Sequence, residues 1–338
     1  MVRPLFRTET KLADRPPQSN AGLWYDKFCD QWLENWDGLG DSGKRNWING
    51  VTNGSVGDDR QINEAVGRRI ELLNKCGGIA LHLETEGPFV TGLGRNHPVE
   101  NGFAWHQTLG TPYLPGSSVK GIVRSWAKVW KEETEENINR IFGPRGSDTT
   151  SAGSVIFLDA IPVGSIQLKA DVMTPHYGPY YQGNEPPADW HNPVPVPFLV
   201  VDAGQEFLFG MMPRRPQDQE DCKTASEWLK DALSYIGGGA KTATGYGRFE
   251  YFVPRSPCMD WLDKELERLA KEYNKSASEV LTKVPMKVAE TWNKIGDSKL
   301  KEEVLGDIKS RYGELWDHPP GGLKKAKKIY EAKPTGGS

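Results

Sequence analysis

Four side chains able to engage a phosphate lie within eight positions of one another: Lys241, Thr242, Thr244 and Arg248. They stand in Gly237-Gly238-Gly239-Ala240-Lys241-Thr242-Ala243-Thr244-Gly245-Tyr246-Gly247-Arg248-Phe249, where five of thirteen residues are glycine. Glycine accepts positive φ and allows another backbone to come close, and consecutive amides in such a loop can turn inward to form an anion-binding concavity. The stretch is not the phosphate loop of nucleotide hydrolases. That motif requires Gly directly before Lys-Ser/Thr and runs from a strand into a helix. Here Ala240 precedes Lys241, a helix-like run (Ala225 to Ile236) comes before, and the strand-like alternation Arg248 to Val253 comes after. The spacing predicts a phosphate-facing loop between a helix and a strand. The competing reading is a flexible glycine connector, which has no use for the Lys, the Arg and the two Thr.

A second motif is Leu114-Pro115-Gly116-Ser117-Ser118-Val119-Lys120-Gly121. Pro-Gly forces a turn, and Ser117 or Ser118 is a natural N-cap for a helix through Val119, Ile122, Val123, Trp126 and Val129. Lys120 and Arg124, four apart, fall on one face near free helix amides, a ready anion site. An ordinary capped helix with two solvated cations fits the spacing equally well. The loop from Gly87 to Pro98 adds Arg95 and His97. In Thr174-Pro175-His176-Tyr177-Gly178-Pro179-Tyr180-Tyr181, the aromatic rings either stack on bases or pack as a rigid loop on a sheet.

Catalytic patterns are hard to find. There is no nucleophile elbow, no HExxH, no paired Asp motif and no His/Cys group at ligand spacing, so no cofactor or metal is implied. A metal-independent RNase needs a base, an acid and a cation at one phosphate. His176, His106 and Lys120 or Lys241 supply them only if the fold brings them together.

The elements that must position these groups come from a chain of 338 residues, 37% apolar and 26% charged, with net charge −3. That is the composition of a globular protein with a substantial core. Cys29, Cys76, Cys222 and Cys258 are far apart and form no CxxC pair, which fits a reducing compartment. With no apolar signal core or membrane-length run, a cytoplasmic protein is expected. Residues 255–338 hold 17 Lys+Arg against 14 Asp+Glu, and the rest hold 25 against 31, so any polyanion site in the body is a local patch. Apolar periodicity predicts a helix from Leu23 to Trp36, a loop from Asp37 to Gly57, and a helix opened by Asp58-Asp59. Strands are expected at Ile79–Thr85, Val155–Ala160, Ile166–Met173, Val196–Val201 and Gln205–Met212, then a helix from Thr224 to Ile236. Glu132, Glu133, Glu135 and Glu136 read as a solvated helix face. Beyond Pro254 a Lys/Glu/Leu-rich texture, broken at Pro285, Gly296 and Pro319-Pro320, predicts three or four helices. The expected domains are a lead-in over 1–78 packed on the core, a core over 79–254, and a helical extension over 255–338.

In this order the Pro-Gly-Ser-Ser-x-Lys-Gly helix start with Arg124, Thr174-Pro175-His176-Tyr177 and the terminal glycine loop resemble the RAMP superfamily of CRISPR proteins. Within it the chain is most similar to the sixth-subunit family of the type III-B (Cmr) effector. The resemblance covers roughly residues 79–253 and leaves the Trp-rich N-terminus and helical tail outside. It implies an α+β fold with a ferredoxin-like, RNA-recognition-type antiparallel sheet, elaborated by insertions and a helical C-terminal extension. It also implies a non-catalytic subunit that caps the backbone filament near the 3′ end of the CRISPR RNA, with CRISPR RNA, target RNA and other Cmr subunits as partners and no membrane. Ser117, Ser118, Lys120 and Arg124 are then the helix-start site, and Lys241, Thr242, Thr244 and Arg248 the loop against the RNA backbone. Arg95, His97, His176 and Tyr177 are further RNA-binding candidates, with Tyr177, Tyr180 or Trp105 available to stack on a base. No residue matches the loop Asp with which backbone-subunit relatives cut target RNA. Two rivals stand beside this reading: a metal-independent guide-processing endonuclease using His176 and Lys241, and a protein scaffold that never touches RNA.

Overall fold

A computed structural model describes residues 15–16, 19–35, 38–144, 151–175, 177–188, 190, 193–252 and 257–331. The chain divides into two compact units, Met1–Phe252 and Val253–Ser338. In the first, α1 (Ala21–Lys27), α2 (Asp41–Thr52), β1 (Ser55–Val56) and α3 (Asp59–Lys75) precede β2 (Ile79–Thr85). There follow β3 (Trp105–His106), β4 (Thr111–Pro112), α4 (Gly116–Val129), α5 (Glu135–Phe142), β5 (Val155–Phe157), β6 (Ile161–Pro162) and β7 (Ile166–Met173). The unit ends with α6 (Gly178–Tyr181), β8 (Val196–Val201), β9 (Glu206–Pro213), α7 (Gln219–Tyr235) and β10 (Phe249–Tyr251).

The main sheet has the order β10-β2-β9-β5, all antiparallel, with β6 also paired to β9. Period-two alternation sets which face of it is buried. The register Leu81↔Phe209, Leu83↔Phe207 and Phe249↔Thr85 gathers the apolar side chains on one face, and all of these are buried. On the other face of β2, His82 Nδ1 pairs with Glu206. The helices α4 and α7 pack together, and α7 lies against β2, β9 and β10. Phe89 joins the core edge-on, 5.6 Å from the Phe207 ring and 5.2 Å from the Phe249 ring. Each such ring contributes about 1.5–3 kcal/mol by burial, so the residues flanking the two loops of interest are fixed. A second sheet, β1-β7-β8, is antiparallel as well.

The α+β class and antiparallel sheets are as expected, and Ile79–Thr85, Ile166–Met173 and Val196–Val201 match their predicted spans. Asp58 caps α3 by accepting from Gln61 N at 3.0 Å. Two expectations for the N-terminal region fail. The helix predicted to Trp36 stops at Lys27, capped by Asn20 at the start; Trp36 itself lies outside the described residues. The expected loop 37–57 contains α2. Its two Gly and two Asn weaken helix propensity, but Trp47, Ile48 and Val51 are buried, and packing outweighs propensity.

The second unit is helical: α8 (Pro257–Tyr273), α9 (Ala277–Lys283), α10 (Pro285–Asn293), α11 (Ser298–Tyr312), α12 (Glu314–Asp317) and α13 (Gly321–Glu331). Its own core includes Leu262, Leu266, Val280, Val288, Trp292, Ile308 and Tyr330. Among the described residues six helical segments replace the three or four expected, because helical spacing runs unbroken across short stops. Ser276 opens α9 in a capping box with Glu279, and Gly313 breaks the chain at φ 54°.

Candidate functional site

Three segments far apart in sequence enclose a cleft of about 560 Å³ in the first unit. Thr91, Gly92, Leu93 and Gly94 form one wall, just beyond the anchored Phe89. Ser118, Gly121, Ile122 and Ser125 form the second; their spacing puts them on one face of α4. The glycine loop supplies the third, through Ile236, Gly237, Gly239, Ala240 and Thr242, with Leu114 completing the lining.

The loop is not slack. Ala240 N–H donates to the Val90 carbonyl at 2.9 Å and Gly247 N–H to that of Pro88 at 2.8 Å. Gly238 N–H donates to Gly247 O at 2.7 Å, closing the loop on itself. Tyr246 Oη donates to Asp171 Oδ2 on β7 at 2.6 Å. Burial, and then the adjacent Asp171 carboxylate, push the Tyr246 phenol up to about 12. Gly239 has φ 86°, and a Cβ there would lie 2.7 Å from Phe89 Cε2 and against the Val90 carbonyl oxygen. Only glycine fits that close approach.

These bonds limit the anion concavity expected from the sequence. The amides of Gly237, Gly238, Ala240, Thr244, Gly245, Tyr246 and Gly247 all donate to backbone carbonyls. Among the described residues, the amides of Gly239, Lys241, Thr242 and Ala243 have no such acceptor, the last three as at the start of any 3-10 turn. Lys241 itself is left-handed, with φ 58°, and its Nζ lies 5.4 Å from the Phe198 ring centre.

The structure sorts the predicted residues by where it places them. Ser118 and Thr242 line the cleft; Lys241 is the chain neighbour of Ala240 and Thr242, with its ammonium over the Phe198 ring. Ser117 is exposed on the first turn of α4. Neither serine is the N-cap. Pro115 occupies that position without a side-chain bond, its fixed φ already set for entry into a helix. The Gly116 amide is satisfied instead by Asp159 Oδ1 at 2.7 Å, a partner no local spacing reveals. Lys120 is half-buried; burial and then the charges of Arg124 and Arg214 lower its pKa. Arg124 does not share a solvated face with it. Its guanidinium is buried and Nη1 donates to Gly143 O at 2.9 Å, bracing the end of α5. Arg248 Nη1 donates to the carbonyls of Ser234 and Tyr235, capping α7. Thr244 Oγ1 donates to Lys241 O at 2.8 Å.

His97 is a core residue. Its ring stacks on Tyr25 at 4.4 Å, Nδ1 accepts from Val99 N–H at 3.3 Å and Nε2 donates to Tyr25 O at 3.0 Å. Together these contacts require the neutral ring, and burial lowers its pKa. Trp105 is also buried and is not a stacking platform. Arg95 is exposed on a different cavity of about 370 Å³, lined with Gly22, Leu23, Asp26, Lys27, Trp105 and Gln107. Tyr177 precedes the short α6, and His176 lies outside the described residues. His106 Nδ1 accepts from Leu109 N–H at 3.2 Å. The cleft residues that sequence reasoning missed are Thr91, Gly92, Gly94, Gly121 and Ser125. Thr91-Gly92-Leu93-Gly94 and the small side chains at 118, 121 and 125 were the available signals.

Chemically, the cleft offers hydroxyls and amides over an apolar floor. None of its described lining residues is ionisable, and the described residues hold no group of His, Cys, Asp and Glu that could bind a metal. No helix among them is long and apolar enough to cross a membrane. Such a surface suits a polyanionic or polyhydroxylated chain held by hydrogen bonds.

Residues 82–250 match the RAMP superfamily. The chain is 31% identical to the CRISPR system Cmr subunit Cmr6 of Pyrococcus furiosus, aligning 54% of its own length and 71% of that protein. It is 30% identical to the Saccharolobus solfataricus Cmr6, across 45% of this chain and about half (49%) of that one. A chain in the cryo-EM structure of the Type III-B Cmr-beta bound to cognate target RNA shares its fold. That chain is 24% identical with a TM-score of 0.52, over 62% of this chain and 71% of the other. The chain belongs to the RAMP superfamily and, within it, to the Cmr6 subunits of type III-B CRISPR systems.

Proposed function

We propose that this protein is a non-catalytic RNA-binding and assembly subunit that caps the backbone filament of a type III-B effector near the 3′ end of the CRISPR RNA. The observation that carries the reading is the cleft itself. It joins the α4 start, the loop at 91–94 and the glycine loop, three segments of the region that defines the superfamily, into one slot of small and hydroxylic residues, with Lys241 between two lining residues in the chain, Ala240 and Thr242. Hydroxyls of Ser118, Ser125 and Thr242 hydrogen-bond phosphate and ribose, Lys241 supplies charge, and Ile122 and Leu93 take the apolar faces of sugar or base. Such contacts carry no sequence information, which falls to guide pairing with the target. The core is ferredoxin-like on this reading; the sheet order β10-β2-β9-β5 with α4 and α7 as its two long helices supports that wiring. Its partners are the CRISPR RNA, the target RNA and other Cmr subunits, in keeping with a related fold in a Cmr complex bound to cognate target RNA.

Gly121 provides the test. It is exposed on α4, and a Cβ added there would meet nothing within 4 Å, so Gly121→Leu branches into the slot from an unobstructed Cβ and gains about 0.5–1 kcal/mol of helix stability. A CRISPR-repeat-derived guide in EDTA, titrated across a salt series and resolved on a denaturing gel, is the assay. Gly121→Leu weakens binding about tenfold, or 1.4 kcal/mol, while raising the melting temperature. Lys241→Ala reduces the magnitude of the log–log salt slope by about 0.7, one single-stranded phosphate contact. Cleaved RNA turns the reading to the endonuclease, and unchanged affinity in both variants turns it to the pure scaffold.

A further inference from the structure

The α4 stripe that lines the cleft continues beyond it into an aromatic patch. Val129, one turn past Ser125, is 65% exposed; Trp130 is 54% and Tyr235, at the end of α7, 63% exposed. The three rings form a cluster: Trp130 stacks on buried Trp126 at 5.3 Å, and Tyr235 lies 5.9 Å from Trp126 and 5.8 Å from Trp130. Trp126 Nε1 lies buried under this cluster without a hydrogen-bond partner among the described residues. Large aromatic side chains held rigidly at the surface, rather than mobile aliphatic ones, are typical anchors of protein interfaces.

The charge around the patch selects the kind of partner. The cations beside it are already engaged: Lys128 pairs with Glu135 at 3.5 Å, Lys131 with Asp231 at 2.9 Å while lying 5.8 Å from the Trp126 ring centre, and Arg248 Nη1 donates to the Ser234 and Tyr235 carbonyls. Glu132, Glu133 and Glu136 remain in excess, and Asn137 and the Thr134 amide hold Glu133 in its ionised form by hydrogen bonds. An acidic rim repels a phosphate chain, so these rings are poorly placed as a base-stacking platform despite lying next to the cleft. It attracts a polypeptide whose Lys or Arg side chains flank an apolar one.

We infer that the Trp126–Trp130–Tyr235 patch is the docking surface for another Cmr subunit, which packs an apolar side chain onto the exposed faces of Trp130 and Tyr235 and sets basic residues against Glu132 and Glu136. The inference rests on the reading that this chain works in a multi-subunit assembly. The test is capture of the remaining Cmr subunits, co-expressed with the tagged full-length chain and treated with RNase so that RNA cannot bridge. The wild type retains them. The Trp130→Ala/Tyr235→Ala variant loses at least about tenfold in retention, as expected for anchor residues, and Glu132→Lys/Glu136→Lys loses several-fold with its effect fading at high salt. Equal capture by all three proteins overturns the patch alone, and no capture even by the wild type overturns the assembly reading with it. Two further results also overturn the docking assignment. One is a concentration-dependent dimer of the isolated chain that Trp130→Ala/Tyr235→Ala abolishes, which gives the patch to a second copy. The other is a weakened guide affinity in that variant, which gives it to bases.

Discussion

The glycine loop depends on close backbone approach at one glycine and on backbone conformation alone at another, and the two are separable. Gly239 (φ 86°) and Gly245 (φ 94°) both occupy the left-handed region. Alanine there costs about 1–2 kcal/mol at either position, and the smaller gain from stiffening the unfolded chain is common to both. Only at Gly239 does the added methyl meet matter, 2.7 Å from Phe89 Cε2 and against the Val90 carbonyl; at Gly245 nothing lies within 4 Å. Overpacking of this kind adds about 1–3 kcal/mol. At about 2–4 °C per kcal/mol for a unit of this size, Gly239→Ala melts roughly 2–12 °C below Gly245→Ala. Calorimetry of the two full-length variants measures the difference. Hydrogen exchange supplies a local readout, because the Ala240 and Gly247 amides, bonded to Val90 and Pro88, exchange faster in Gly239→Ala than in Gly245→Ala. Equal melting points and equal exchange would refute the claim that the loop is clamped to residues 88–90.

Two further predictions concern residues that the fold withdraws from ligand contact. Arg124→Ala removes the buried donor to Gly143 O and destabilises the protein by about 1–3 kcal/mol in urea titration, while leaving the salt slope of RNA binding as in the wild type. His97 makes stability pH-dependent: its folded pKa is lowered, so the unfolded chain takes up the proton first and stability falls as pH drops through about 6.5. His97→Gln flattens that fall in thermal melts run from neutral to mildly acid pH, and an unchanged profile would mean the ring is not held neutral against Tyr25.

Much of the frame was legible in the chain because local patterns fix local structure. Alternation over Ile79–Thr85 yields β2 since its inward side chains meet a sheet of matching register. Asp58 starts α3 because the cap and its donor are three residues apart. The helix α2 was missed for the opposite reason: its stability comes from Trp47 and Ile48 buried against distant elements, which offsets a poor intrinsic propensity. The helix α4 was legible but its cap was not, because its first amide bonds to Asp159, forty-three positions away.

By itself the sequence determined that a glycine-rich loop with Lys241 lies between a helix and a strand, that a Pro-Gly-Ser-Ser turn opens a helix, and that both belong to a RAMP core. Glycine content, turn chemistry and period are local, and a short window carries them. Only the tertiary structure decided which groups remain available. Arg124 and Arg248 point at carbonyls that need donors, His97 is sealed under Tyr25, and most loop amides close on Pro88, Val90 and the loop itself. A cation or amide in a sequence is only a capacity to bond. Whether it faces a ligand or a neighbouring carbonyl follows from the unsatisfied partners the fold sets within about 3 Å, and those partners come from segments tens of residues apart.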